Sequence, residues 1–125
     1  MDEEDIGKQV LDCAFKVHTA LGPGMLESAY EACMSYELEK KSLRVLRQPV
    51  LPIHYGDIKL DAGYRLDLLV NDKVVVELKS VERLNDVHLA QVVSYLKLGD
   101  YKLGYLLNFN VKRMRDGIKR VVNGI

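Results

Sequence analysis

Residues 67–79 read DLLVNDKVVVELK. Two aliphatic triplets flank the polar Asn71-Asp72-Lys73, so the stretch reads as a β-hairpin. Side chains alternate across a strand, so a slip of one residue exchanges the two faces. A two-residue loop, Asn71-Asp72, sets Val70 against Lys73 and Asp67 against Val76. Asp67 and Glu77 then point to opposite faces, and each face mixes charge with core. A three-residue loop, Asn71 to Lys73, sets Val70 against Val74, Leu68 against Val76 and Leu66 against Leu78. One face is then wholly aliphatic, and burial selects that register. The other face sets Leu69 against Val75, Asp67 against Glu77 and Arg65 against Lys79. Directly opposed Cβ atoms lie about 4.5–5.5 Å apart. Two carboxylates that close repel unless something positive sits between them. An ordinary surface ladder, neutralised by Arg65 and Lys79, is one reading of this face.

The rest of the chain bounds what the hairpin can belong to. With 125 residues and 48% hydrophobic content, one domain spanning residues 1–125 can bury a core. The longest purely aliphatic runs, LLV and VVV, fall far short of the roughly 20 residues that cross a bilayer. The acidic start, MDEEDIGKQ, lacks a hydrophobic signal region, so a cytoplasmic location is expected. Eighteen basic residues balance eighteen acidic ones, which argues against coating nucleic acid by bulk charge. The basic end is local: Lys112, Arg113, Arg115, Lys119 and Arg120 are opposed only by Asp116. It reads either as a solvated surface or as a phosphate-facing patch. Cys13 and Cys33 form no CxxC pair and the three histidines are dispersed, which disfavours zinc and leaves free, buried thiols.

Along the chain, Ile6 to Leu21 predicts a helix with Ile6, Val10, Cys13, Ala14, Val17 and Leu21 on one side. Leu11 and Phe15 lie on another, so two covered faces are expected. Gly22-Pro23-Gly24 ends it. A second helix is expected from about Met25 to Lys41, with Leu26, Ala29, Tyr30 and Cys33 as its stripe. Residues 44–79 predict two or three strands ending in the hairpin. Asn85 or Asp86 caps a third helix to about Leu98, closed by Gly99. Its core face is Leu89, Val92, Val93 and Leu96, while His88, Gln91 and Tyr95 form a separate line. A strand at 102–108 and a last strand, IKRVV, complete an α/β arrangement around one sheet.

Asp67 on one strand and Glu77-Leu78-Lys79 on the next resemble the signature of the PD-(D/E)XK nuclease superfamily, with Leu66 where the signature has proline. Gly24-Met25-Leu26-Glu27-Ser28-Ala29-Tyr30 reads GxxExxY, the pattern of a family of small proteins assigned to that superfamily. Gln91 and Tyr95 make a QxxxY pattern similar to that of RecB-like nucleases. The blocks YRLDLLV, VVELK, HLAQVVSYL and LLNFN follow the family's order, and the resemblance covers residues 6–122. It implies a restriction-endonuclease-like αβββαβ core, with a mixed central sheet flanked by helices and an extra N-terminal helix. It also implies that Asp67, Glu77, the Leu78 carbonyl and Glu27 hold Mg²⁺ or Mn²⁺, as hard oxygen donors suit. The cation is then the positive charge between Asp67 and Glu77. Lys79 orients or activates water and stabilises charge on phosphate.

Each of these residues also has a plainer role. Glu27 suits a helix N-terminus as a first-turn acid. Tyr30 reads as packing, with its hydroxyl satisfied by a neighbour of the site. Gln91 contacts the site or a nucleic-acid backbone, or is solvated. His18 and His88 read as structural, and His54, Asp57 and Asp61 have no assigned role. The expected function is a metal-dependent nuclease acting on DNA, less readily on RNA, as a homodimer or with a partner protein. The alternatives are a nuclease-like module that binds without turnover, in a defence or repair assembly, and a structural protein with a charge ladder.

Overall fold

The computed structural model describes residues 1–60 and 63–124; Asp61 lies outside them. Helix α1 is Glu3–Leu21 and α2 is Glu27–Lys40. The acidic start is the capping of α1. Asp5 N–H donates to Asp2 Oδ1 (2.9 Å) and Asp2 N–H to Asp5 Oδ2 (3.3 Å), and the first-turn acids complement the helix dipole. Strands β1 (Val45–Arg47), β2 (Ile53–Tyr55), β3 (Ile58–Leu60), β4 (Leu68–Val70) and β5 (Val74–Lys79) follow. Then come α3 (Asp86–Gly99), β6 (Leu103–Asn108), a 3₁₀ turn (Met114–Gly117) and β7 (Ile118–Val122).

Five strands form one mixed sheet in the order β1-β4-β5-β6-β7. Among the described residues only β5 and β6 pair in parallel, and α3 is the crossover that a parallel pair requires. Helices α1 and α2 cover one face, where Ile6, Val10, Tyr30, Met34 and Leu38 meet Leu68, Val70, Val74, Val76, Leu78 and Phe109. Helix α3 covers the other, where Val92, Tyr95 and Leu96 meet Leu69, Val75 and Leu106. This is the mixed, helix-flanked sheet that the family resemblance implies.

The hairpin adopts the three-residue register: Val70 faces Val74, Leu69 faces Val75, and Leu68 faces Val76. The turn itself is tight. Asn71 and Asp72 take φ of 52° and 55°, and Lys73 N–H returns to the Val70 carbonyl at 3.0 Å. Lys73 is then passed over, so that Val74 meets Val70 and the aliphatic face stays intact.

Several expectations fail locally. The chain bends at Asp67, so Leu66 packs in the α3 layer rather than against Leu78. Arg65 bridges Val50 instead of facing Lys79. The described residues within 44–79 hold five strands, because β2 and β3 form a separate two-stranded ribbon. Phe15 is 44% exposed, so α1 has only one well-covered face. The buried stripe of α2 is Tyr30, Met34, Ser35 and Leu38; Leu26 is its N-cap and 76% exposed. On α3, Tyr95 joins the core while Leu89 stays 39% exposed. The left-handed residue ending α3 is Asp100, not Gly99. Cys13 is buried and its thiol is pushed up to about 11 by burial; Cys33 is only half-buried. Among the described residues, no helix is long and apolar enough to cross a membrane.

Candidate active site

At the end of the hairpin Asp67 and Glu77 clasp each other's strands. Asp67 N–H donates to Glu77 Oε2 at 2.9 Å, and Leu78 N–H donates to Asp67 Oδ2 at 2.8 Å. Neither bond belongs to the regular ladder, and together they hold both carboxylates at the point where β4 starts. This is no surface ladder, because α3 covers that face and Glu77 is 3% exposed. Burial, and then the Asp67 charge beside it, push Glu77 up to about 9; nearby Lys79 opposes this only weakly. The metal-free Glu77 carboxyl therefore holds a proton at neutral pH.

Asp67 opens onto a cavity of about 160 Å³, lined by Glu27, Ser28, Glu31, Gln48, Asp67 and Leu78. The donors lining it are oxygen and amide groups, with no thiol or imidazole. That chemistry fits a hard divalent cation. Glu27 and Asp67 share the cavity, and Asp67 and Glu77 share the clasp. Among the described residues, no three acidic, thiol or imidazole side chains stand close enough to form a ready-made metal cluster. Glu77 is turned inward, with Oε2 occupied by the Asp67 N–H.

Glu27 reaches the cavity because the preceding loop is pinned. Gly24 takes φ of 91°, a conformation suited to glycine. The Tyr30 hydroxyl donates to the Gly22 carbonyl (2.6 Å) and accepts from Met25 N–H (3.1 Å). Its ring stacks on Phe109, with centroids 4.4 Å apart. Ser80 Oγ–H donates to the Met25 carbonyl at 2.7 Å, tying the loop to the end of β5. Gly24, Glu27 and Tyr30 are thus one device: a turn, the acid it presents, and the side chain that locks the turn.

Lys79 is half-buried at the end of β5, where it pairs with Asn108 of β6. Tyr95 lies under the acids; burial, then Glu77 and Asp67, raise its hydroxyl above the usual range. Gln91, one turn earlier, is exposed. Lys112, Arg113 and Arg115 are exposed in the segment that follows β6, and none lines the cavity. His18 is structural: its Nε2–H donates to the Val111 carbonyl at 2.7 Å. His88 closes the N-terminal cap of α3 with Asn85. His54 and Asp57 are exposed in and beside the β2–β3 ribbon.

The sequence reading missed Ser28, Glu31 and Gln48. Glu31 was within reach, since it stands four residues after Glu27 on the same helix face. Gln48 carries no local signal, being brought to Asp67 only by the pairing of β1 with β4.

A search of curated proteins gives no match, and a search of solved structures gives none either. A family model described as the PD-(D/E)XK nuclease superfamily matches residues 4–121, a span that includes the clasp, the cavity and Lys79, and the chain belongs to that superfamily.

Proposed function

We propose that the protein is a divalent-cation-dependent nuclease of the GxxExxY group, hydrolysing phosphodiester bonds in DNA, with RNA as the second choice. The observation that carries this reading is the Asp67–Glu77 clasp beside a cavity that also receives Glu27. A buried acid that keeps its proton without metal is a poor structural element and a good latent ligand. Glu27, Asp67, Glu77 and the Leu78 carbonyl would hold the cation, with the Glu77 proton given up to solvent on binding. Bound Mg²⁺ or Mn²⁺ supplies Lewis acidity toward the phosphoryl oxygen and toward water. Lys79 adds a fixed ammonium on the face of the acids, where charge develops on phosphate. Tyr95 walls the acids from beneath and Tyr30 holds the Glu27 turn. Gln91, Lys112, Arg113 and Arg115 are the exposed groups available to a nucleic-acid backbone.

The test is cleavage of single-stranded DNA, duplex DNA and RNA with Mg²⁺ or Mn²⁺, beside Lys79→Ala and Asp67→Asn. Metal-dependent cutting that both variants lose supports the reading. Mn²⁺ binding without cutting of any substrate favours a binding module. Absence of both cutting and Mn²⁺ binding overturns the metal site.

A further inference from the structure

Among the described residues, Gln48 touches both walls of the cavity, by side chain and by backbone. Its Nε2–H₂ donates to Glu31 Oε1 at 2.6 Å, and also approaches Asp67 Oδ1 at 3.5 Å. Its backbone N–H donates to the Asp67 carbonyl at 2.9 Å. Its own carbonyl accepts from Arg65 Nη1 at 3.0 Å. Arg47, the residue before it, neutralises Glu31 through Nη2 at 3.1 Å. Helix α2 and strand β4 are thus cross-linked through Gln48, one turn of helix from Glu27.

The backbone of Gln48 is in an unfavourable place. Its φ is 56°, in the left-handed region that non-glycine residues seldom adopt. It also precedes Pro49, and a residue before proline is pushed toward extended backbone. Such strain costs on the order of 1–3 kcal/mol and collects at functional sites, where it persists because the surroundings enforce it. Glycine relieves it, and asparagine tolerates it better than most residues. Neither supplies an amide that reaches Glu31: glycine has none, and asparagine is one methylene shorter. A turn needed only for chain reversal has no use for glutamine.

We propose that Gln48 is a positioning residue for the cation site: it clamps α2 to β4 and so sets the spacing between the Glu27 and Asp67 carboxylates. This rests on the metal-site reading above. Glu27 lies at the first turn of α2, and its distance from Asp67 depends on how α2 is held against the hairpin. Glu31 and Gln48 supply that hold at the wall of the cavity, with Arg47 paired to Glu31.

The test compares the full chain with Gln48→Gly and Gln48→Asn, reading Mn²⁺ affinity by electron paramagnetic resonance and stability by thermal melting in chelator. Both variants are expected to melt at or above the temperature of the unsubstituted protein. Both are expected to bind Mn²⁺ about tenfold more weakly, the usual cost of losing an outer support of a metal site. Weakened binding with unimpaired stability separates positioning from a merely structural turn, which would leave affinity unchanged. Affinity within twofold of the unsubstituted protein in both variants overturns the role of Gln48 alone, and so does lost affinity accompanied by lost stability in both. An unsubstituted protein that binds no Mn²⁺ overturns the metal site itself, and this inference with it.

Discussion

Replacing Glu77 with glutamine should stabilise the metal-free protein at neutral pH. The side chain is 3% exposed, and burial together with the Asp67 carboxylate raises its pKa from an ordinary 4.5 to about 9. The folded-state value lies above the unfolded one, so the neutral carboxyl favours folding fully below about pH 4.5. That contribution drains away as pH rises toward 9, because the unfolded chain ionises first. Within this window each pH unit costs about 1.4 kcal/mol, so moving from about pH 5 to about pH 7 costs about 3 kcal/mol through Glu77 alone. Glutamine has the shape of the protonated acid, can accept the Asp67 N–H and never ionises. The Glu77→Gln variant should therefore gain on the unsubstituted protein as pH rises, by about 3 kcal/mol, or roughly 10 °C in melting temperature, at pH 7. The assay is urea and thermal unfolding of both proteins in chelator between about pH 5 and 8. Taking the difference cancels every group other than Glu77 and its partners. Mn²⁺ should reverse the ranking, because the cation stabilises only the protein that can give up the Glu77 proton. Parallel pH profiles for the two proteins in chelator would falsify the account of Glu77 as a buried, protonated acid.

Elsewhere in the molecule, Gly117→Ala should cost several kcal/mol in chemical denaturation, since the added Cβ would stand 2.0 Å from the Asn108 backbone carbonyl oxygen, which has little room to yield. Tyr30→Phe should destabilise by about 1–3 kcal/mol, read by thermal melting, because it removes two hydrogen bonds to the Gly22–Met25 loop and leaves the ring stack intact. Charge removal at Lys112, Arg113 and Arg115 should flatten the salt dependence of DNA binding. A titration of affinity against salt concentration should show the slope falling by about one unit for each phosphate no longer neutralised.

The register of the hairpin was legible because an aliphatic face tolerates no slip, and Val70 does face Val74. The helix of the GxxExxY segment, the cap at Asn85 and the α/β order were legible for similar reasons: periodicity and capping are local properties. Tyr95 was misplaced, because a residue on a separate helical line becomes core when the sheet beneath it is wide enough to reach. Leu66 was misplaced because the Asp67 side chain, not a strand partner, accepts the Leu78 N–H and bends the chain.

The sequence by itself determined the ionisable set of Asp67, Glu77 and Lys79, the hairpin that sets the acids opposite each other, and the glycine and tyrosine that frame Glu27. Only the tertiary structure decided that the acidic face is buried under α3, which turns Glu77 from a surface charge into a proton-holding acid. It alone brought Glu31 and Gln48 to Asp67. The physical reason is the same in each case. Alternation and helical spacing act over a few residues, whereas burial and the cross-linking of α2 to β4 depend on which layer covers which face, and that is settled by packing the whole chain.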